Sequence, residues 1–289
     1  ASAMQPLFEA VSNSIHSTQA RFGDDVSEKG RVTVTVNTSR NKNEVWATVE
    51  DNGNGLNEKN WDAFTTTDTD NKIEIGGKGV GRLMWLDCFE SIRVKSTYTN
   101  DGSALRRKSF DFVLALDNQI RNLSDEAIGE EVDVGFFVRF TGLRNNAYRD
   151  KFPGRDSFIF QHFTSHFLPS FIGGRSPRIQ VIVGSESRDY PDAISEIVHR
   201  QDDAIDLDTA EYGVLTLTLM ECSKVASSDL KGKHFVHFIA HDRTVHSQCI
   251  DGKLGLNYFG ENSDRVFHAI VTGQFLDSNV NQERTAFPF

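Results

Sequence analysis

From Asp51 to Gly81 the sequence turns polar and glycine-rich, broken only by short apolar spots near Trp61, Phe64 and Ile73 to Ile75. A stretch this long without regular periodicity is uncommon inside a compact domain, and such loops are usually functional. Its flanks are regular. Before it, Arg31 to Asn37 alternates Val32, Val34 and Val36 with polar residues. Glu44 to Glu50 repeats the pattern with Val45, Ala47 and Val49, so both segments read as strands joined by a turn at Thr38 to Asn43. Further upstream, Pro6 to Arg21 carries Leu7, Val11 and Ile15 at four-residue spacing, one face of a helix, with Glu9, Asn13 and His16 on another. After the loop, Arg82 to Phe89 resumes helical character, and Ser91 to Thr97, Ser109 to Leu116 and Gly135 to Thr141 read as strands.

A second break, Arg144 to Asp156, is rich in Asn, Arg and Asp and contains Pro153 and Gly154, which discourage a continuous helix. It reads as a domain junction, giving domains at 1–147 and 148–289. Beyond it an aromatic-rich helix, Phe158 to Ile172, precedes strands at Arg178 to Val183, Tyr212 to Glu221, His234 to His241 and Arg265 to Leu276. A chain of 289 residues, 38% hydrophobic and 25% charged, has enough material for two cores. No apolar run approaches the roughly 18 residues needed to span a bilayer, so no membrane segment is expected. The first residues show no basic stretch followed by an apolar one, so no secretion signal is expected either. Cys88, Cys222 and Cys249 are odd in number and lie beside apolar residues, which suits reduced thiols in a cytoplasmic setting. The net charge of −10 disfavours a surface that grips nucleic acid broadly, because such binding neutralises phosphates with Lys and Arg. Arg106, Arg107 and Lys108, the densest basic run, read as a solvated turn.

Three groups of residues carry chemistry. Glu9 and Asn13, four apart on a helix, project one turn apart from the same face. A carboxylate there can take a proton from an attacking water, and an amide oxygen is a hard ligand suited to Mg²⁺; the same pair also fits an ordinary solvated face. Asp51, Gly53 and Gly55 follow a strand, where the glycines permit close ligand approach and Asp51 can accept a hydrogen bond from an exocyclic amine, although the segment is equally a good tight turn. Gly76 to Gly81 opens the next helix, and backbone amides at a helix N-terminus form an anion site. It lacks the ending of a Walker loop and does not directly follow a strand as a dinucleotide fingerprint does.

In their order and spacing these groups together resemble the ATPase superfamily of gyrase B, Hsp90, sensor histidine kinases and MutL. Glu9-Ala-Val-Ser-Asn13, followed by Ser14 much as in Hsp90, matches the superfamily's Glu-bearing helix. Asp51, Gly53 and Gly55 match its Asp-x-Gly-x-Gly, and Gly77-Lys-Gly-Val-Gly81 its second glycine box. The resemblance implies an α+β fold: a Bergerat-type sandwich with helices on one face of a mixed, largely antiparallel sheet, then a smaller, transducer-like α/β domain. It implies Glu9 as general base, Asn13 as magnesium ligand, Asp51 as adenine contact, and Gly79 and Gly81 as phosphate contacts, with Gly77 and Val80 in the same nucleotide-binding box and Lys78 either neutralising a phosphate or facing solvent. The lid would run from about Trp61 to Lys78, with Thr65, Thr66 and Thr67 near the phosphates. Arg284, in Asp277-Ser-Asn-Val-Asn-Gln-Glu-Arg284, resembles the basic residue that reaches the γ-phosphate from the second domain. One departure stands out: relatives place Gly-Thr before the last strand of the nucleotide domain, where the hydroxyl supports the adenine-binding Asp, and this chain has Gly135-Phe136.

The resemblance therefore points to an ATPase using ATP and Mg²⁺, with ADP as product, coupling hydrolysis to conformational change. A nucleotide-dependent homodimer, a protein client, an effector domain and DNA are all compatible partners. The alternatives are a non-hydrolysing nucleotide-binding interaction module and a histidine-kinase-type phosphotransferase. The histidines spaced for a ligand set, His162 with His166 and His234, His237 with His241, lack converging Cys or carboxylate partners and read as structural.

Overall fold

The computed structural model describes residues 4–65, 80–100, 104–129, 132–144, 147–172, 174–224, 232–240, 243–253, 255–280 and 287. The chain divides into two compact units, 1–159 with 175–190, and 160–174 with 191–289.

The first unit opens with helix α1 (Gln5–Phe22), a short helix α2 (Val26–Lys29) and strands β1 (Arg31–Asn37) and β2 (Trp46–Asp51). Helices α3 (Glu58–Thr65) and α4 (Val80–Cys88) follow, then strands β3 (Phe89–Tyr98), β4 (Arg106–Phe112), β5 (Ile120–Ala127) and β6 (Gly135–Leu143), and helix α5 (Ala147–Lys151). Helix α6 (Asp156–Ile172) precedes strands β7 (Arg178–Val183) and β8 (Glu186–Tyr190). The eight strands form one sheet in the order β5-β4-β3-β6-β2-β1-β7-β8. Every neighbouring pair is antiparallel except β1 and β7.

The alternation seen in the sequence sets which face is covered. Val32, Val34 and Val36 of β1 and Ala47 and Val49 of β2 are fully buried, as are Leu7, Val11 and Ile15 of α1, which packs against β1, β2 and α4. Pro6 sits in the first turn of α1, where its missing N–H costs nothing, and Gly23 ends the helix at φ 55°. At the other end of the sheet an aromatic cluster fills the space between helices and strands: Trp85 of α4 meets Phe112 and Phe140, and Phe140 meets Phe89.

Four features depart from the sequence reading. The stretch read as one long loop contains α3, whose apolar residues Trp61 and Phe64 are the spots that interrupted its polarity. Arg106 to Lys108 is not a solvated turn but the start of β4, with Lys108 only 5% exposed. Residues Arg178–Val183, expected beyond the junction, pair in parallel with β1. Asp277 lies in a helix and not in the tail after a strand.

The second unit carries β9 (Val198–Gln201), β10 (Ile205–Thr209), β11 (Gly213–Ser223), β12 (Phe235–Ala240), β13 (Arg243–Cys249), β14 (Arg265–Thr272) and α7 (Gln274–Asn279). Its sheet runs β10-β11-β14-β12-β13, with β9 also on β11. One core joins Leu168 of α6 to Met220, Cys222, Ile239, Val266 and Ile270, and another joins Ala240, Val271 and Leu276. His237 and His268 are buried in this sheet, His237 Nε2 lying 2.9 Å from His268 Nδ1 and His237 Nδ1 2.8 Å from Ser247 Oγ. Burial without a counter-charge pushes them down to about 4 and about 3, so both are neutral bases of the packed sheet. Among the described residues no group of three or more His, Cys, Asp or Glu is arranged to hold a metal, and no helix is long and apolar enough to cross a membrane.

Candidate functional site

The site assembles where the end of β2 meets α1. Strand β2 ends on Asp51, whose side chain faces the helices because residue parity places it with Ala47 and Val49. Ser14, fully buried on α1, donates to Asp51 Oδ2 at 2.6 Å, and the Gly53 amide donates to Asp51 Oδ1 at 2.8 Å. The backbone amide of Phe136, opposite Asp51 in the β2–β6 register, also serves the carboxylate.

Asp51 is 6% exposed, and its loss of solvent pushes the carboxyl up to about 6, with the hydrogen bonds from Ser14, Gly53 and Phe136 pulling the other way. At neutral pH it is therefore mainly ionised, buried and hydrogen-bonded. Each carboxylate oxygen has two acceptor positions, so the three donors leave capacity for one further donor from a ligand. The unit holds an unusually costly charge, which favours a binding role over a turn-forming one.

The turn after Asp51 is fastened from several sides. Ser17 of α1 accepts from the Asn54 amide at 3.0 Å, and Arg21 donates to the carbonyls of Asn52 and Val134 at 2.6 and 2.9 Å. Only glycine fits at 53: an added Cβ would lie 2.6 and 2.7 Å from the Ser17 Cβ and carbonyl carbon. Gly55 has φ 61°, a backbone that side chains rarely adopt, and packs against Ser96 of β3. Ser96 in turn accepts from the Leu56 amide at 2.7 Å and donates to the Gly135 carbonyl at 3.1 Å.

Glu9 is half-buried and Asn13 exposed on α1, one helical turn apart, and Asn13 directly precedes the Ser14 that holds Asp51. Ser14 and Ser17 thus hold the helix that carries Glu9 and Asn13 against the turn of Asp51, Gly53 and Gly55. Val80 and Gly81 open α4, which packs on α1. Gly77, Lys78 and Gly79 lie outside the described residues, as do Thr66, Thr67 and Arg284. Thr65 ends α3, its hydroxyl donating to the Trp61 carbonyl at 2.9 Å. For a divalent cation, the exposed Asn13 amide is one hard oxygen donor. That suits an ion such as Mg²⁺, which keeps several waters and takes other ligands from substrate phosphates, so the residues present fit it.

Two contributors escaped the sequence reading. Ser14 enters the sequence reading only through the resemblance, yet it supplies the hydroxyl to Asp51 in a chain whose Gly135-Phe136 lacks one; a small hydroxyl on the buried side of α1 is the signal that marks it. Ser96 carried no signal, because its role arises from the β3–β6 pairing.

The site thus consists of a carboxylate buried behind a glycine turn and held by a hydroxyl of the helix that bears Glu9 and Asn13. Residues 2–134 match the family model described as histidine kinase-, DNA gyrase B-, and HSP90-like ATPase, and this part of the chain is a domain of that family. Among solved structures, the chain is similar to the N-terminal domain of a DNA repair protein, with TM-score 0.55 and 11% identity over 96% of this chain and 86% of that one. It is also similar to the MutL ATPase domain of Aquifex aeolicus: a point mutant at TM-score 0.49 and 12% identity, covering 92% and 87% of the two chains. The same domain complexed with ADP matches at 0.49 and 14%, covering 94% and 92%. At such identities the likeness to the DNA repair protein concerns the fold. No curated protein sequence matches the chain.

Proposed function

We propose that the chain binds ATP with Mg²⁺, hydrolyses it to ADP and phosphate, and couples the cycle to conformational change. The observation that carries this reading is the buried, ionised Asp51, held by Ser14 to the helix that bears Glu9 and Asn13. Asp51 accepts a hydrogen bond from the adenine exocyclic amine, and Gly53 and Gly55 let the nucleotide approach the backbone. Asn13 would hold the magnesium ion, whose chemistry is to neutralise charge on the phosphate oxygens. Glu9 accepts the proton of the attacking water. Gly77 to Gly81 contact the phosphates through backbone amides, Lys78 with its ammonium group and the start of α4 with its dipole.

The division into an ATP-binding part up to residue 147 and a transducer-like part after it belongs to the same proposal, as does Arg284 at the γ-phosphate. A homodimer forming on nucleotide binding, and a protein client, effector domain or DNA as the object of the cycle, are extensions the family resemblance supports. The acidic net charge favours a protein object over a broad DNA surface.

The test is calorimetric titration with a non-hydrolysable ATP analogue, with and without Mg²⁺, beside Asp51→Asn, followed by turnover assays of Glu9→Ala. Magnesium-dependent binding lost in Asp51→Asn, and turnover lost with binding kept in Glu9→Ala, are the expected results. Binding without turnover in the unaltered chain would assign the non-hydrolysing reading instead. Arg284→Ala is expected to slow hydrolysis with little change in ADP affinity; an unchanged rate removes it from the site.

A further inference from the structure

Lys108 is a lysine in mid-strand with only 5% of its surface exposed, a position whose desolvation must be offset by partners. Its ammonium nitrogen lies 4.1 Å from the Trp61 ring centre, 4.7 Å from that of Tyr98 and 3.6 Å from Asp125 Oδ2. Asp125 is already engaged: Tyr98 donates its hydroxyl to both carboxylate oxygens, at 2.9 and 2.8 Å, and Arg106 Nε donates at 2.9 Å. Asp125 still supplies the largest attraction on the cation, and the faces of Trp61 and Tyr98, with Asp62 next along α3, add to it.

Trp61 belongs to α3, a helix with no fully buried residue. What holds α3 to the sheet is its aromatic side: Trp61 against Phe110 at 5.5 Å and Phe64 against Phe110 and Phe112 at 5.3 and 5.4 Å. Two further links join this helix to the site. Asn60 donates its side-chain amide to the Gly55 carbonyl at 2.7 Å, at the positive-φ glycine of the Asp51 turn. Arg82, near the start of α4, donates to the Ala63 carbonyl at 2.9 Å and lays its guanidinium over Phe64 at 5.1 Å. The helix thus sits between the Asp51 turn and the beginning of α4, and on its sheet side Trp61 meets a buried cation as well as Phe110.

We propose that Lys108, acting through Trp61 and α3, is a positioning residue that fixes the Asp51 to Gly55 turn for nucleotide binding. For its effect on affinity the inference rests on the proposed function; for its effect on the turn it does not. The cation draws in Trp61, Trp61 sets the height of α3 over the sheet, and Asn60 carries that setting to Gly55. Arginine at 108 keeps a cation for the aromatic faces, whereas methionine keeps length and loses charge.

The test compares the full chain with Lys108→Met and Lys108→Arg, by amide hydrogen exchange and by titration with a non-hydrolysable ATP analogue. Lys108→Met is expected to speed exchange by about tenfold over residues 53–65, spare the amides of β3 and β6, and weaken analogue binding by about tenfold. Lys108→Arg is expected to restore both to within about threefold. Asn60→Ala, which cuts the link to Gly55 and leaves Lys108 in place, is expected to weaken binding similarly and to leave exchange in residues 61–65 unchanged; it also serves should Lys108→Met fail to fold. Unchanged exchange in α3 of Lys108→Met, failure of arginine to rescue, or faster exchange in α3 with unchanged affinity would each overturn the proposal. If the unaltered chain binds no analogue, the proposed function fails, and exchange at residues 53–57 then decides the positioning role alone: no acceleration there overturns it.

Discussion

Replacing Asp51 by Asn removes a buried charge from the first unit. The side chain is 6% exposed, and burial raises its carboxyl from 3.8 to about 6. The folded state therefore holds this proton more tightly than the unfolded chain does. The sign follows: stability from this group is present below about pH 4 and is lost as pH rises to about 6. At neutral pH the loss is about 3 kcal/mol. Asparagine keeps the acceptor for the Gly53 amide, and a turned Ser14 hydroxyl can accept from its amide nitrogen, so the links to Gly53 and Ser14 survive without the buried charge. The variant should thus be more stable than the natural chain by up to about 3 kcal/mol above pH 6, by almost nothing near pH 4, and should bind no ATP analogue. Urea unfolding of both proteins at about pH 4 and about pH 7.5, with calorimetric titration beside it, measures all three expectations. A variant less stable at neutral pH, or a difference that ignores pH, would refute the account of Asp51 as a strained binding group.

Other perturbations test separate parts of the argument. Gly53→Ala must drive its Cβ into Ser17 and is expected to cost about 1–3 kcal/mol and abolish analogue binding; a stable, binding variant would show that α1 and the turn can separate. Trp85→Ala empties the centre of the aromatic cluster and should cost about 3–5 kcal/mol in urea unfolding, with a loss below about 1 kcal/mol contradicting the packing described. The buried pair His237 and His268 is neutral when folded, with values of about 4 and about 3 against the ordinary 6.5, so its stability contribution is present above pH 6.5 and lost as pH falls towards 4. Protection factors of β12 and β14 amides should fall over that window, and constant values would mean the pair is not buried as described.

The sequence by itself determined the elements whose patterns are local: α1 from its four-residue spacing, β1 and β2 from strict alternation, and the glycine turn from Asp51 to Gly55. It also determined the superfamily, because Glu9, Asn13, Asp51 and the glycines stand in a fixed order along one stretch of chain. What only the tertiary structure decided depends on partners distant in sequence. Arg178–Val183 becomes a neighbour of β1 only because the strands pair across the intervening chain. Ser14 becomes the support for Asp51 because α1 lies over the end of β2. Lys108, which as part of the basic run Arg106 to Lys108 reads as solvated, is buried because Trp61, Tyr98 and Asp125 converge on it from three other elements. Periodicity records which face of an element is apolar; it does not record which element will cover that face, and the cost of burying a charge is settled only where the covering is made.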